Sequence, residues 1–479
     1  METRGERFCL VSRLETVFPR TFAISFATVW TAWKLLVALA SPLISWDGMV
    51  YWLNGQSYLQ GRYPVYEFFR PPVLPLFLGL TQALGLGLWT SVIWHPIVTG
   101  ASGIMLFLVL RLYAREWLAA AGTVVFLTTS IVQFWSVTIL THGFATLFLL
   151  TGAYFITKST FKNEVIGATF LSVAFFTRYP LGLVILPFAA WVAIRRRRLV
   201  DVDALVIGGL LPVAPFVLSQ PSFLLDTVNE IFAAEVLGQK SVFVASNSVL
   251  ATSPSFYLAW LGQHLGPLFI VLTIGLLAAI RTKNGLVFAL WFFPYVVGFS
   301  LLSNRQDRFV FELAPALAAL VVLGAEHLLR NMSHPKIVGM TLLLVVGYFA
   351  VNETLTVASQ APIGFQLNDT QLSSTFQIVG REIQTHTNAS DIVVAENDVP
   401  WLSYYSSRYV YLSRTSQVTD GLAVENYLRS LHPFPTLLVA MPFYGSNIAL
   451  LKSQTYLGLV EIVNTPAWGQ VYIFRVSVS

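Results

Sequence analysis

Apolar residues between positions 22 and 352 fall into long blocks separated by short polar segments, not into the alternation of half-buried strands. The blocks lie at 22–44, 92–111, 117–135, 140–157, 164–178, 180–194, 204–219, 257–280, 285–302, 310–329 and 337–352. A helix needs roughly 20 apolar residues to cross a bilayer, because hydrocarbon satisfies no backbone polar group. The pattern therefore predicts a multi-spanning α-helical membrane protein with about 11 transmembrane helices, though several blocks are short. Beyond residue 353 the pattern changes. DIVVAEN (391–397), YVYLS (409–413), TLLVAMP (436–442), LGLVEIV and VYIFRVSV read as strands, with helical patterns STFQIVGREIQTH and LAVENYLRSL before or between them. Residues 1–352 are thus expected to form the membrane domain and 353–479 a small soluble α/β domain.

Charge orients these blocks. Arg111 and Arg115, Lys158 and Lys162, Arg195 to Arg198, Arg281 and Lys283, and Arg330 and Lys336 each follow an alternate block. All fall on the side of the mixed-charge N-terminal tail if that tail is cytoplasmic, as the positive-inside bias requires. The agreement holds only if 72–89 does not cross. Residues 73–84 then form a helix lying in the outer interface, within a long first outer loop, 45–91. The same parity puts the C-terminal domain outside, where Asn352, Asn368 and Asn388 head N-x-Ser/Thr triplets compatible with an external face. Ala38-Leu39-Ala40 has the form of a signal-peptidase site, but the run before it is long and interrupted by Lys34, so an uncleaved signal anchor is expected.

Composition agrees: of 479 residues 55% are hydrophobic and 11% charged, against about 25% charged in soluble domains. The net charge of +5 is explained by the topological clusters and calls for no nucleic-acid partner. Cys9 is the single cysteine, so no internal disulfide forms. No Gly-rich phosphate loop, zinc pattern, G-x-S-x-G elbow, internal repeat or low-complexity tract is present.

Candidate chemistry concentrates on the outer face. Asp47 stands just past the first apolar block, at headgroup depth, where a lipid-borne phosphate and a water-borne acceptor can meet. Glu67, Arg70, Arg178, Lys240, Arg305 and Arg308 come from separate outer segments, and the topology places all of them on that side. Each has a plain alternative: Asp47 as a helix cap, each arginine as a headgroup anchor. Lys34, midway along the first block, is costly in hydrocarbon; it faces either a polar cavity that attracts an anionic head or a carbonyl or water inside the bundle. Glu326 and His327 read as residues that snorkel to the inner interface. Guanidinium forks match phosphate oxygens, and a carboxylate nearby can take a proton from an attacking hydroxyl. One carboxylate with several phosphate-binding cations suits inverting transfer from a phospho-sugar, whereas a glycosidase needs a positioned carboxylate pair.

Several stretches carry a likeness. They are D-x-x-x-Y (Asp47, Tyr51), G-R-Y-P-x-Y (61–66), R-P-P-V-L-P (70–75), FFTRYPLGLVILP (175–187) and DRFVFELAPALAAL (307–320). In this order the chain resembles the GT-C glycosyltransferases, among them protein O-mannosyltransferases and lipid A aminoarabinose transferases. The resemblance implies a GT-C core with interfacial helices in the first outer loop, and a polyprenyl-phosphate sugar donor entering from the membrane. It implies that Asp47 is the catalytic or acceptor-orienting carboxylate and that Arg308 lies near the donor phosphate, with Arg305, Arg178 and Arg70 as further donor-binding residues. Tyr51, Glu67, Lys34 and Lys240 are accessory candidates. In one respect the chain departs from the family. Many members carry a second acidic residue close to the first, or a metal-binding acidic pair; here Gly48 follows Asp47, and Glu67 is the nearest downstream acid. A divalent metal is left open.

The expectation is an inverting hexosyl- or pentosyltransferase of the plasma membrane, acting on a lipid, glycan or protein acceptor at the outer face. Its rivals are a transporter or lipid flippase, for which paired repeats and broken helices are looked for and not read in the sequence, and a non-catalytic scaffold.

Overall fold

The computed structural model describes residues 4–477 except 41, 61–69, 159, 197–198, 220–254, 283–284, 302–305, 360–364, 367–369, 397–398, 413–419 and 432–433. Glu67, Lys240 and Arg305 therefore lie outside the described residues.

The N-terminal part is helical: α1 (Arg4–Ala40), α2 (Trp46–Leu59), α3 (Val73–Ala83), α4 (Leu88–Ser91), α5 (Trp94–Leu110), α6 (Glu116–Thr128), α7 (Ser130–Trp135), α8 (His142–Thr157), α9 (Phe161–Thr177), α10 (Gly182–Arg196), α11 (Leu199–Ser219), α12 (Phe256–Leu265), α13 (Leu268–Arg281), α14 (Leu286–Leu301), α15 (Ala314–Asn331) and α16 (Pro335–Ser359). By length and composition, two segments of the described helices are long enough to cross a membrane alone, Val17–Ala40 and Pro335–Ala358. Several expected blocks are shorter or interrupted. The block at 117–135 is divided at Thr129, whose backbone is non-helical (φ −53°, ψ 128°). The block at 257–280 is not one straight helix: the path is bent by 119° between α12 and α13. The cause is local, since Gly266 takes φ +50° and Pro267 has no N–H to continue the ladder. This is a broken helix that the apolar pattern concealed.

The structure confirms a helix within 73–84, and α3 packs tightly along α2. A Cβ at Gly55 would come within 2.8 Å of both the Gly79 nitrogen and the Pro75 carbonyl, so only the missing side chain lets the two backbones meet. Gln82 Nε2 donates to the Trp52 carbonyl at 2.9 Å and fixes the pair lengthwise.

All five expected strands form: β3 (Ile392–Ala395), β4 (Tyr409–Leu412), β5 (Leu437–Ala440), β6 (Leu457–Thr465) and β7 (Gly469–Val476), in the order β4-β3-β5-β7-β6. β3, β4 and β5 are parallel, while β7 and β6 are antiparallel. β3 and β5 are buried along their whole length, as parallel strands covered on both faces must be. Val393 and Ala395 share a core with Phe376 and Val379 of α17 (Thr370–His386) and Trp401 of α18 (Val399–Ser406). Val394 and Leu438 point to the other side, against Val424 and Leu428 of α19 (Gly421–Ser430).

The layer is seated on the segment that follows α1. α18 contacts α2, and one hydrophobic cluster holds Met49, Tyr51 and Leu53 together with Trp401, Leu402 and Trp468. A short antiparallel ladder, β1 (Leu43–Ile44) with β2 (Phe365–Gln366), joins the exit of α1 to the chain entering the layer. α16 runs through the expected boundary at 352/353 and ends at Ser359. The helix carrying Asp47 is thus pinned by α3 along its flank and by α18 from the α/β layer.

Candidate active site

Ser45, not Asp47, caps α2: its hydroxyl accepts the Gly48 N–H at 3.1 Å, with Ser45 in extended backbone. The plain reading of Asp47 as a cap is thereby removed. Its side chain, in the first turn, points instead into a set of guanidiniums. Arg70 Nη2 donates to Asp47 Oδ1 at 2.8 Å, and Arg308 Nη1 donates to Asp47 Oδ2 at 2.5 Å. Arg70 also reaches the Tyr51 hydroxyl at 3.3 Å, one turn along α2, and lies over the Tyr51 ring.

Each arginine is delivered by a chain break. Arg70 directly precedes Pro71-Pro72, and Pro72 is the residue that caps the start of α3. Arg308 sits in a 3-10 turn, Asp307–Val310, ahead of α15. That turn is held by Asp307, which accepts the Arg308 N–H at 2.6 Å, and by Tyr257 of α12, whose hydroxyl donates to the Gln306 carbonyl. Arg178 stands where α9 ends, in extended backbone (φ −159°, ψ 102°) before Pro180. Its guanidinium and that of Arg308 lie against the same ring, Phe309, at 5.0 and 5.6 Å from the centroid.

Burial alone would push the Asp47 carboxyl up. The two guanidiniums, Arg70 foremost and then Arg308, more than offset it and hold the group well below the usual carboxylate range. While both oxygens are so engaged, Asp47 is an anchored anion and a weak base. It becomes a useful base only when another anion takes over one of its arginines.

A second carboxylate completes the constellation. Glu312, fully buried, has Oε1 within 2.5 Å of both Arg178 Nε and His142 Nδ1, and its Oε2 accepts from the Tyr295 hydroxyl at 2.9 Å. Trp291 Nε1 donates to the Glu312 carbonyl at 3.1 Å. Neither Glu312, His142 nor Tyr295 was expected from sequence. The available signal was the rule that singled out Lys34: an ionisable residue in an apolar stretch is costly and needs a purpose. Applied to FELAPALAAL and THGFATL, it marks Glu312 and His142.

Lys34 is buried with its ammonium 4.2 Å from the centroid of Trp33 on its own helix. Among the described residues it pairs with neither Asp47 nor Glu312, so the structure does not bring it into this site. Glu326 is held at the far end of α15, accepting from Arg330 at 2.8 Å and in ion-pair contact with Arg115 at 3.3 Å, rather than reaching outward alone.

Among the described residues, three guanidiniums are in ion-pair contact with two carboxylates. Three buried guanidinium nitrogens, Arg178 Nε, Arg178 Nη2 and Arg308 Nε, make no hydrogen bond among the described residues, although Arg178 Nε lies in ion-pair contact with Glu312. Buried guanidinium donors without a hydrogen bond can be satisfied by an anion. The same donor set does not suit a divalent cation. Asp47 spends both oxygens on arginines, and no group of three His, Cys, Asp or Glu residues gathers among the described residues. Gly48 shows why no second acid follows Asp47: a Cβ there would lie 2.8 Å from the Ile139 carbonyl.

No family model matches the sequence, and no curated protein sequence matches it. Solved structures do match. ArnT from Cupriavidus metallidurans bound to undecaprenyl phosphate superposes with TM-score 0.62 at 14% identity, over 94% of this chain and 98% of that one. The Archaeoglobus fulgidus oligosaccharyltransferase in complex with Zn and sulfate gives 0.61 at 12%, over 94% and 72%. Arabinofuranosyltransferase AftD from Mycobacteria gives 0.60 at 11%, over 95% of this chain and 42% of its own. These are GT-C superfamily members. At such identities the likeness is one of fold: the chain has a helical GT-C membrane-protein fold.

Proposed function

We propose that the chain is an inverting glycosyltransferase that moves a sugar from a polyprenyl-phosphate donor to a lipid, glycan or protein acceptor at the outer face of the plasma membrane. The N-terminus would be cytoplasmic and the α/β layer external. The observation that carries the reading is the Asp47 carboxylate bridging Arg70 and Arg308, with Arg178 alongside and donors left unspent. Among the ion pairs of the described residues, three guanidiniums meet two carboxylates, which favours an anionic ligand. A polyprenyl-phosphate sugar is a phosphodiester and carries one negative charge. The neighbours supply consistent context, one bound to undecaprenyl phosphate and another to an inhibitory peptide and a dolichol-phosphate.

The chemistry follows from charge. As the bond between the sugar anomeric carbon and the phosphate oxygen breaks, the phosphate takes the electron pair and gains a second negative charge. Preset guanidiniums in a water-poor chamber stabilise that change more than they stabilise the bound donor. Arg70, Arg178 and Arg308 hold the phosphate, and Arg305, in the same outer turn of sequence, is a further ligand. The acceptor oxygen forms the new bond from the opposite face of the sugar. Its proton passes to Asp47, which the phosphate frees by drawing away an arginine. Glu67 and Lys240 are candidates for acceptor contacts.

The test is transfer by the purified protein from a panel of polyprenyl-phosphate hexoses and pentoses to extracted envelope lipids, glycans and peptides. No transfer from any donor by a protein that binds polyprenyl phosphate would refute it. One feature favours a transporter, the 119° break between α12 and α13. Movement of the lipid-linked sugar across sealed vesicles without covalent transfer would decide for that reading.

A further inference from the structure

We propose that Glu312 is the positioning residue of the site: itself held by His142 and Tyr295, it fixes Arg178 by a direct ion pair so that this guanidinium presents Nη2 to the anion beside Asp47. The inference rests on the donor reading above and assigns a residue to it that does not itself touch the donor.

The geometry argues this from three sides. First, Glu312 is the point where four segments converge: His142 comes from the start of α8, Arg178 from the end of α9, Tyr295 and Trp291 from α14, and Glu312 itself from the turn entering α15. A fully buried carboxylate with this many donors has no freedom to choose another arrangement. Second, the Arg178 fork is spent unevenly. Nε is in ion-pair contact with Glu312 Oε1 at 2.5 Å without a hydrogen bond, and Nη1 donates to the Thr141 hydroxyl at 3.5 Å, at the limit of a hydrogen bond. Nη2 is buried and has no partner. A guanidinium held by an ion pair on one edge, with a buried Nη2 that makes no hydrogen bond, has a donor to offer an anion. Third, Phe309 ties it to the site. The ring lies under both Arg178 and Arg308, and Arg308 in turn holds Asp47.

Without Glu312, nothing anionic among these contacts would keep the buried Arg178 charge in place. The nearest carboxylate in the same constellation is Asp47, which already serves two arginines. A released Arg178 would compete for Asp47 and fold onto it, closing the space meant for a phosphate. Glu312 thus prevents collapse of the cationic wall onto its own carboxylate, and its effect runs entirely through Arg178.

That dependence gives the test. Undecaprenyl phosphate is titrated into the full-length protein in detergent, read by intrinsic fluorescence, for wild type, Glu312→Gln, Arg178→Gln and the double variant. Each single change is expected to weaken binding by about tenfold, in line with losing one charge-assisted contact. The double variant should be no weaker than Arg178→Gln alone, because the two residues act in series. If Glu312→Gln binds as wild type does, or if the two effects multiply, the inference is overturned. Should Glu312→Gln fail to run as a monodisperse species, Tyr295→Phe takes its place. It keeps the carboxylate and removes its Oε2 donor, with an expected two- to threefold weakening that vanishes on the Arg178→Gln background. Unchanged affinity, or a loss that adds to that of Arg178→Gln, overturns the proposal equally. Failure of the wild type itself to bind the probe refutes the donor reading instead, so the two are separable.

Discussion

Replacing Asp47 by Asn should tighten phosphate binding and abolish transfer, two effects of opposite sign. The substitution keeps the side-chain shape and removes one negative charge from between Arg70 and Arg308, whose nitrogens lie 2.8 and 2.5 Å from its oxygens. In the wild type a phosphate must share those arginines with the carboxylate. Two unit charges of like sign roughly 6 Å apart repel by about 3 kcal/mol at an effective dielectric of about 20. Asp47 is 14% exposed, so solvent screening reduces this to about 1.5 kcal/mol, or roughly tenfold in Kd. Transfer, by contrast, loses its base and should fall by about 10²–10⁴-fold. The arginines also lose their counter-charge. Breaking a fully buried pair costs about 3–5 kcal/mol, and in this partly screened site about 2 kcal/mol is expected, so the unliganded variant melts earlier. Saturating undecaprenyl phosphate should restore more of its Tm than it adds to wild type. The assay pairs a binding titration and ligand-dependent melting with turnover on the same preparation. Undiminished transfer by a folded variant would remove Asp47 as base; weaker phosphate binding would refute the competition between carboxylate and phosphate.

Other consequences can be checked separately. The folded Asp47 carboxyl lies below its unfolded value of about 3.9, so its contribution to stability is complete well above that value and is lost as pH falls through the folded one. The Tm gap between wild type and Asp47→Asn should therefore stay flat from about pH 7 to 5 and narrow only below about pH 4; a gap already closing between pH 7 and 5 would contradict the ion-pair account. Gly48→Ala puts a methyl group against the Ile139 carbonyl and should cost about 1–3 kcal/mol, with transfer reduced at least in proportion to the displacement of Asp47; a wild-type Tm and rate would show that α2 has room to move. Arg308→Lys keeps the charge but loses the planar fork, so KM for the donor should rise by about tenfold with the fold intact by size exclusion, and an unchanged KM would take Arg308 out of phosphate binding.

Much of the molecule was legible because its signals are local. Strand alternation and apolar continuity each act over a few residues, and they suffice to mark all five strands and the helix after Pro72. The charge pattern also sorted Asp47, Arg70, Arg178 and Arg308 to one face, and they do meet. Local signals failed where the outcome depends on a neighbour or on a single backbone angle. Gly266 turns a continuous apolar run into two helices with a 119° bend between them. Glu312 looks in sequence like one acid at the mouth of a helix, and only the arrival of His142, Arg178 and Tyr295 makes it the hub of a buried network.

The sequence by itself determined the solvent: a chain with 11% charged residues and long apolar runs belongs in a bilayer, and its polar residues must gather where water or partners exist. It also supplied the inventory of charged residues at the ends of the apolar runs. Tertiary structure alone decided which charges pair, since Asp47 and Arg308 stand 261 residues apart and their meeting depends on how α2, α9 and α15 pack. The physical reason is that a guanidinium will accept any carboxylate the packing brings near. Composition sets how many of each are present, and geometry decides which of them pair and which guanidinium nitrogens stay without a hydrogen bond.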